Sequence, residues 1–137
     1  APCGTVLSGP ADIITRARRQ RKLLGGAMRQ AGFLAAAGLH ALSHNVTRLA
    51  DDHARTRRLA EGLAALPGFE VDLEACQTNM VFVGLPGDRW QAILANVAQE
   101  GLLIGGGSRS VRLVCHKGLD DDAVDRTLQA FQQAAAE

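Results

Sequence analysis

The Pro67-Gly68 pair divides the chain into two parts with different hydrophobic patterns. Before it, apolar residues recur at the spacing of amphipathic helices, whereas short apolar runs alternate with helical segments after it. Proline cannot continue a helix, and glycine just past a helix commonly ends it. The sequence therefore predicts three helices first, followed by a unit that mixes helices with short strands.

The first two helices flank the Gly25-Gly26 pair. One is predicted to open at Ser8-Gly9-Pro10, with Pro10 at its first position, and to run to about Leu24. It would turn three apolar side chains inward: Ile13, Ile14 and Ala17. The other is predicted over 27–42, and a face of mainly small residues suggests that it is buried: Ala31, Ala35, Gly38, Leu39 and Leu42.

The remaining elements follow the same periodicity argument. A long helix is predicted over 46–66, with an inward face of Val46, Leu49, Ala50, His53, Ala60 and Leu63. Strands are predicted at 4–7, 69–71, 79–83, 102–104 and 111–115, and a helix at 88–99. The last helix begins at Asp120, where acidic residues suit the helix dipole, and should bury Val124, Leu128 and Phe131.

Composition limits the possible partners. The chain has 137 residues, 47% of them apolar, and 15 basic against 14 acidic residues. This balance argues against a general attraction to nucleic acid. The basic run in the first helix has no aromatic residue or recognition motif beside it, which favours a solvated or subunit-facing surface: Arg16, Arg18, Arg19, Arg21 and Lys22. No apolar run approaches the roughly 20 residues of a membrane span.

Three cysteines, Cys3, Cys76 and Cys115, are widely spaced and odd in number. They suggest reduced thiols in a cytoplasmic protein rather than a disulfide framework. Cys115-His116 has no second pair of metal ligands at a suitable spacing, so no zinc site is predicted.

Arg29 follows the Gly25-Gly26 break and is predicted to lie in the first turn of the second helix. Free backbone amides at a helix N-terminus suit a phosphate, and an arginine can add a bidentate contact to the same anion. The alternative is that the glycines only separate two helices and that Arg29 is solvated.

Arg112 stands inside the apolar strand predicted over 111–115. Val111, Leu113 and Cys115 alternate onto one face, and Arg112, Val114 and His116 alternate onto the other. An arginine on a short interior strand requires a carboxylate or phosphate, because an unpaired buried charge is costly. The alternative is an edge strand on which Arg112 is exposed or paired with an acid. His116 is interpreted as a structural residue at the end of the strand.

Several segments resemble the C-terminal part of low-specificity L-threonine aldolases, which belong to the β-eliminating lyase group of pyridoxal-phosphate enzymes. The matching segments span almost the whole chain: Ala1-Pro2-Cys3-Gly4, Arg21-Lys22, Gly25-Gly26-Ala27-Met28-Arg29-Gln30, Ala35-Ala36-Ala37-Gly38-Leu39, Asn45-Val46, Arg48-Leu49, Asp52-His53, Thr78-Asn79-Met80-Val81-Phe82-Val83 and Val111-Arg112-Leu113-Val114. Ala27 replaces a usual third glycine, and Cys115 replaces a usual threonine.

The resemblance implies an α/β protein of the aspartate-aminotransferase type, known as fold type I. Residues 1–42 would be the end of the large, cofactor-binding domain, and residues 43–137 a small α+β domain. Arg112 would grip the substrate α-carboxylate, and Arg29 with Gly25 and Gly26 would lie near the phosphate of pyridoxal 5′-phosphate. A cytoplasmic homodimer or homotetramer is implied by analogy.

The lysine that binds the cofactor covalently in this family is expected upstream of Ala1. Neither Lys22 nor Lys117 matches its position. The chain is thus expected to be a fragment that contains no catalytic residue of its own and is inactive alone. The intact enzyme would cleave L-threonine, L-allo-threonine and other β-hydroxy-α-amino acids to glycine and an aldehyde. The alternatives are β-elimination or transamination on the same fold, and a non-catalytic helical interaction module.

Overall fold

A computed structural model of the chain describes residues 6–105 and 107–136. Its contacts divide the chain into two compact units, residues 1–47 and residues 48–137. Together the described residues form five helices and a three-stranded antiparallel sheet, an α/β composition as expected. The assignment of residues 1–42 to a larger cofactor domain stays a prediction.

The first unit contains two helices, α1 (Ala11–Leu23) and α2 (Gly32–His44). The prediction of α1 is confirmed, although Pro10 caps the helix with extended ψ rather than occupying its first position. Ile14 and Ala17 are half-buried as expected, whereas Ile13 is exposed. Of the strand predicted at 4–7, residues 4 and 5 lie outside the described residues, and residues 6 and 7 are not in a strand.

Helix α2 departs from its prediction in two ways. It begins at Gly32 rather than at position 27, because Gln30 has φ +50°, a left-handed conformation that a right-handed helix cannot include. The predicted burial is also wrong for this unit, since none of the described α2 residues is buried and Phe33 is 85% exposed. The two helices of this unit provide no layer that could cover that surface.

The second unit consists of α3 (Leu49–Ala64), β1 (Glu70–Val71), β2 (Met80–Gly84), α4 (Trp90–Gln99), β3 (Ser110–Val114) and α5 (Asp121–Ala136). Its sheet has the order β1-β2-β3, and both pairings are antiparallel. In the register of β2 and β3, Phe82 lies opposite Arg112. Because β3 is the last strand in this order, it is an edge strand of the described sheet.

The strand predicted at 102–104 is absent from the structure. Gly101 takes φ +81° and ends α4, and the Leu102 amide donates a 3.2 Å hydrogen bond to the Val97 carbonyl. The chain there completes the C-terminal cap of a helix, which removes one backbone donor from any strand pairing. Leu102 and Ile104 are half-buried, whereas Leu103 between them is 91% exposed.

One face of the sheet packs with α3, and α5 packs against both α3 and α4. The core includes Leu63, Ile93 and Phe131, and the Phe131 ring meets Phe69 edge to face at a centroid distance of 5.9 Å. The predicted burial of α5 is confirmed, with Val124 and Phe131 buried and Leu128 packed against the core: these three share one helical face.

The predicted inward face of α3 is confirmed at Ala60 and Leu63, which are buried, and is wrong at Val46, Leu49 and Ala50, which are exposed. His53 is exposed, and Asp52 and Thr56 are buried in its place. Arg48 neutralises the Asp52 carboxylate, and the Thr56 hydroxyl donates a 2.7 Å hydrogen bond to the Asp52 carbonyl. Since these polar groups have partners, they can lie on the buried face of the helix. Apolar periodicity alone does not reveal such a face.

Every helix in the described ranges is too short or too polar to cross a lipid bilayer.

Candidate functional site

The open face of the sheet carries the residues with the clearest binding potential. Along β2 and β3, Val81, Val83 and Val111 point into the core. The opposite face exposes a small apolar surface around one charge: Met80, Phe82, Arg112 and Val114. The predicted alternation along 111–115 is therefore confirmed, with Val111 and Cys115 buried and Leu113 half-buried.

The Arg112 side chain lies at the centre of this face, and its guanidinium makes no hydrogen bond or ion pair within the described part of the chain. Most other arginines of the second unit are held by carboxylates or carbonyls: Arg48, Arg55, Arg57, Arg58, Arg89 and Arg109. Because β3 is an edge strand and the Arg112 side chain is exposed, its charge needs no anion to compensate it. The interior-strand expectation is therefore wrong, and the alternative of an exposed arginine on an edge strand is confirmed. The five donors of Arg112 are nevertheless available to a ligand.

Asn79 is a residue that the sequence analysis did not single out as part of the site. Its Nδ2 donates a 2.8 Å hydrogen bond to the Cys115 carbonyl, and the Cys115 amide donates a 2.9 Å bond to the Asn79 carbonyl. These two bonds extend the pairing beyond Met80 and Val114 and fix the end of β3. A polar residue directly before an apolar strand was the only signal for this role.

His116 shapes the turn after β3, as expected for a structural residue at a strand end. Its Nδ1 accepts a 3.0 Å hydrogen bond from the Gly118 amide, and its carbonyl accepts one from Leu119. In the neutral ring the proton then sits on Nε2, which is left as a donor.

A cleft of about 360 Å³ adjoins β3 on the side away from β2. Its walls are the 102–105 segment, the 112–116 stretch and the beginning of α5. Most of the lining side chains are apolar, and Arg112, His116 and Thr127 are the polar ones.

The Gly25-Gly26 pair forms the C-terminal cap of α1. Gly25 has φ +76°, and the Gly26 amide donates a 2.8 Å hydrogen bond to the Arg21 carbonyl. The Gly25 amide donates a 3.2 Å hydrogen bond to the Lys22 carbonyl. These amides thus serve the negative end of α1 instead of the N-terminus of α2, contrary to the expected local geometry.

Arg29 lies in the turn before α2 and not in its first helical turn, and it is exposed. No ion pair involves it in the described ranges. Its role at a cofactor phosphate, and that of Gly25 and Gly26, stay predictions. The five basic residues of α1 are exposed, in agreement with a solvated or subunit-facing surface.

Residues 1–85 match the beta-eliminating lyase family. The chain belongs to that family. The matched range includes the segment around Arg29 and strand β2, and it ends before β3. Membership therefore rests on the first unit together with α3, β1 and β2.

The curated relatives extend the similarity over the remaining residues. Low-specificity L-threonine aldolase 1 of Arabidopsis thaliana is 42% identical over 138 residues, covering 98% of this chain and 38% of the relative. The low specificity L-threonine aldolase of Escherichia coli (strain K12) is 42% identical over 115 residues, 84% of this chain and 33% of the relative. A probable low-specificity L-threonine aldolase of Schizosaccharomyces pombe is 37% identical over 126 residues. The chain thus spans well under half the length of these relatives.

Charged groups elsewhere in the second unit of this family member contribute to its packing. Arg55 and Arg58 of α3 bind Asp121 and Asp125 of α5. The hydrogen bond from Arg55 lowers the pKa of the Asp121 carboxyl.

Cys76 and Cys115 are free thiols, and burial raises the pKa of the Cys76 thiol. A raised thiol pKa opposes nucleophilic reactivity, so Cys76 is not a candidate for catalysis.

Proposed function

We propose that the whole protein cleaves β-hydroxy-α-amino acids such as L-threonine or L-allo-threonine into glycine and an aldehyde. The observation that carries this proposal is the 42% identity, over 98% of the chain, to a protein named low-specificity L-threonine aldolase. The reaction is a retro-aldol cleavage, in which the bond between Cα and Cβ breaks as the β-hydroxyl loses its proton.

Arg112 binds the substrate α-carboxylate in this proposal. It is exposed in the middle of β3 and has no carboxylate partner within the described residues, so its guanidinium can form two parallel hydrogen bonds to a carboxylate. Holding the carboxylate at two points fixes the orientation of the substrate about Cα. The Cα–Cβ bond can then be kept in the direction in which cleavage is fastest.

Pyridoxal 5′-phosphate is the proposed cofactor, and this chain offers groups that suit its anionic end. Arg29 is an exposed arginine without an acid partner in the described part of the chain, beside the Gly25-Gly26 turn. Neither Lys22 nor Lys117 matches the family lysine that attaches the cofactor. When bound, the cofactor supplies an electron sink for the electrons of the broken bond.

The exposed apolar surface of α2 supports a further part of the proposal, that residues 1–42 belong to the large domain in the whole protein. Phe33, Leu39 and Leu42 are each more than half exposed, which is unusual for a helix of this hydrophobicity. In the same proposal the 43–137 region is the small domain, and the protein is a cytoplasmic homodimer or homotetramer. Free Cys76 and Cys115 are consistent with a reducing compartment.

β-Elimination is the second candidate, because the family that matches residues 1–85 is described as beta-eliminating lyases. The two reactions differ in their products. Retro-aldol cleavage of L-threonine releases glycine and acetaldehyde, whereas elimination releases ammonia and a 2-oxo acid.

Product analysis of the purified whole protein tests the proposal. Loaded with pyridoxal phosphate and given L-threonine, it should release glycine and acetaldehyde in equal amounts. Ammonia with 2-oxobutanoate would favour the second candidate, and no turnover of either kind would favour a non-catalytic interaction module. This 137-residue chain alone should not turn yellow with the cofactor, since it has no lysine at the matching position.

A further inference from the structure

The cleft beside β3 combines an unpaired positive charge with an apolar interior. We propose that it binds small apolar monocarboxylates, with the carboxylate on Arg112 and the hydrocarbon tail between the 102–105 segment and α5. Unlike a site for an amino acid substrate, this site requires neither an ammonium group on the ligand nor a bound cofactor. It rests on the proposed function only in that both assign a carboxylate to Arg112.

The charge of the cleft favours an anion. Arg112 supplies the guanidinium, and none of the residues that line the cleft within the described ranges is an aspartate or a glutamate. His116, two residues beyond the end of β3, also lines the cleft, and because its Nδ1 is occupied by the Gly118 amide, its Nε2 is left as a donor. A carboxylate can accept both kinds of donor, whereas a cation would find no counter-charge.

The rest of the cleft favours a hydrocarbon. Leu103, Leu119 and Val124 contribute apolar walls, and Leu103 is 91% exposed. Thr127 is the remaining polar side chain, and its hydroxyl proton is already donated to the Ala123 carbonyl at 2.7 Å. A volume of about 360 Å³ lies at the small end of the range for ligand pockets. A chain of a few carbons attached to one carboxylate therefore suits both the size and the chemistry.

A series of straight-chain acids tests this proposal on the cofactor-loaded whole protein by isothermal titration calorimetry. From acetate through butanoate to hexanoate, the affinity should rise about two- to fourfold for each added methylene group, because each one leaves water for the cleft. Hexanamide, which has the same tail without the charge, should bind at least tenfold more weakly than hexanoate. An affinity that does not change with chain length would overturn the proposal.

Two pairs of variants assign the contacts. Arg112→Gln should weaken hexanoate binding at least tenfold, and Arg126→Gln, at an exposed arginine outside the cleft, should leave it unchanged. Leu103→Ser should weaken hexanoate binding about threefold while leaving acetate unaffected. The matched control is Leu24→Ser, at an 84% exposed leucine in the first unit. Equal losses in a variant and its control would place the ligand elsewhere and refute the assignment.

Calorimetry keeps this inference separable from the aldolase proposal. Hexanoate binding that depends on Arg112 and Leu103, in a protein that does not cleave threonine, would retain the cleft and reject the aldolase. Threonine cleavage that depends on Arg112, in a protein that does not bind hexanoate, would do the reverse.

Discussion

Arg48 grips the carboxylate of Asp52 with both ends of its guanidinium, through hydrogen bonds of 2.9 and 2.6 Å. The Asp52 side chain is only 4% exposed, so this arginine is what allows a charged group to lie inside the second unit. The pair joins the residue before α3 to the first turn of that helix. It therefore fixes how the second unit begins.

Removal of Arg48 alone should be strongly destabilising. Arg48→Met leaves a buried carboxylate without its counter-charge, and we expect the free energy of unfolding to fall by about 3 kcal/mol in urea denaturation of the chain. The double variant Arg48→Met with Asp52→Leu should recover most of this loss, because no charge is then buried. A double variant that loses as much stability as the Arg48→Met and Asp52→Leu single variants added together would contradict this account of the pair.

Substitution of Arg112 should separate substrate binding from folding. Arg112→Ala in the whole protein is expected to raise KM for L-threonine at least tenfold, because the carboxylate loses a bidentate contact. The side chain is exposed and unpaired among the described residues, so the Tm should change little. Arg126→Ala is the control, and both of its values should remain those of the unmodified protein. An unchanged KM in Arg112→Ala would remove the carboxylate role.

The loss of fold stability at acidic pH should depend on Asp121. Its folded-state pKa is lowered by Arg55, so the pair stabilises the fold above the unfolded-state pKa of about 4, and this contribution is lost as the pH falls through the folded-state value. The Asp121→Asn variant should therefore be less stable than the unmodified chain near pH 6, and the difference should vanish towards pH 2.

Thermal unfolding measured at several pH values provides the comparison for Asp121. Asp122→Asn is a suitable control, since Asp122 belongs to the same helical turn and is in no ion pair within the described residues. The control should show no such convergence. A constant difference between Asp121→Asn and the unmodified chain at every pH would indicate that the ion pair is not responsible.

Two phenylalanines of opposite burial provide a test of where the core lies. Phe131 is fully buried and contacts Phe69, whereas Phe33 is 85% exposed. Phe131→Ala should lower the free energy of unfolding by about 4 kcal/mol, as expected for a large cavity. Phe33→Ala should change it by less than about 0.5 kcal/mol. Similar losses in the two variants, measured by urea denaturation of this chain, would mean that α2 is covered in solution.

The sequence predicted most helices and strands because their apolar spacing is regular and their ends carry proline, glycine or aspartate. It failed where a residue has two competing uses. Leu102 was read as part of a strand, but its amide completes the cap of α4. Asp52 was not expected inside because apolar periodicity takes no account of Arg48, four residues earlier, whose charge compensates the buried carboxylate.

The candidate site was predictable only in part. The alternation along β3 placed Arg112 and Cys115 on opposite faces, as the structure does. It could not show that β3 is an edge strand, since strand order depends on long-range pairing. The left-handed Gln30 likewise gave no sequence signal, and it moved the start of α2 past Arg29.

The outer position of β3 also has a bearing on solubility. An edge strand presents unpaired backbone groups to which a strand of another molecule can add, and an apolar surface beside it increases that risk. Phe82 and Val114 form such a surface, and the charge of Arg112 between them opposes stacking of like molecules. The same guanidinium that is offered to a ligand thereby acts as a gatekeeper against aggregation, so neutral replacements at this position should be handled at low protein concentration.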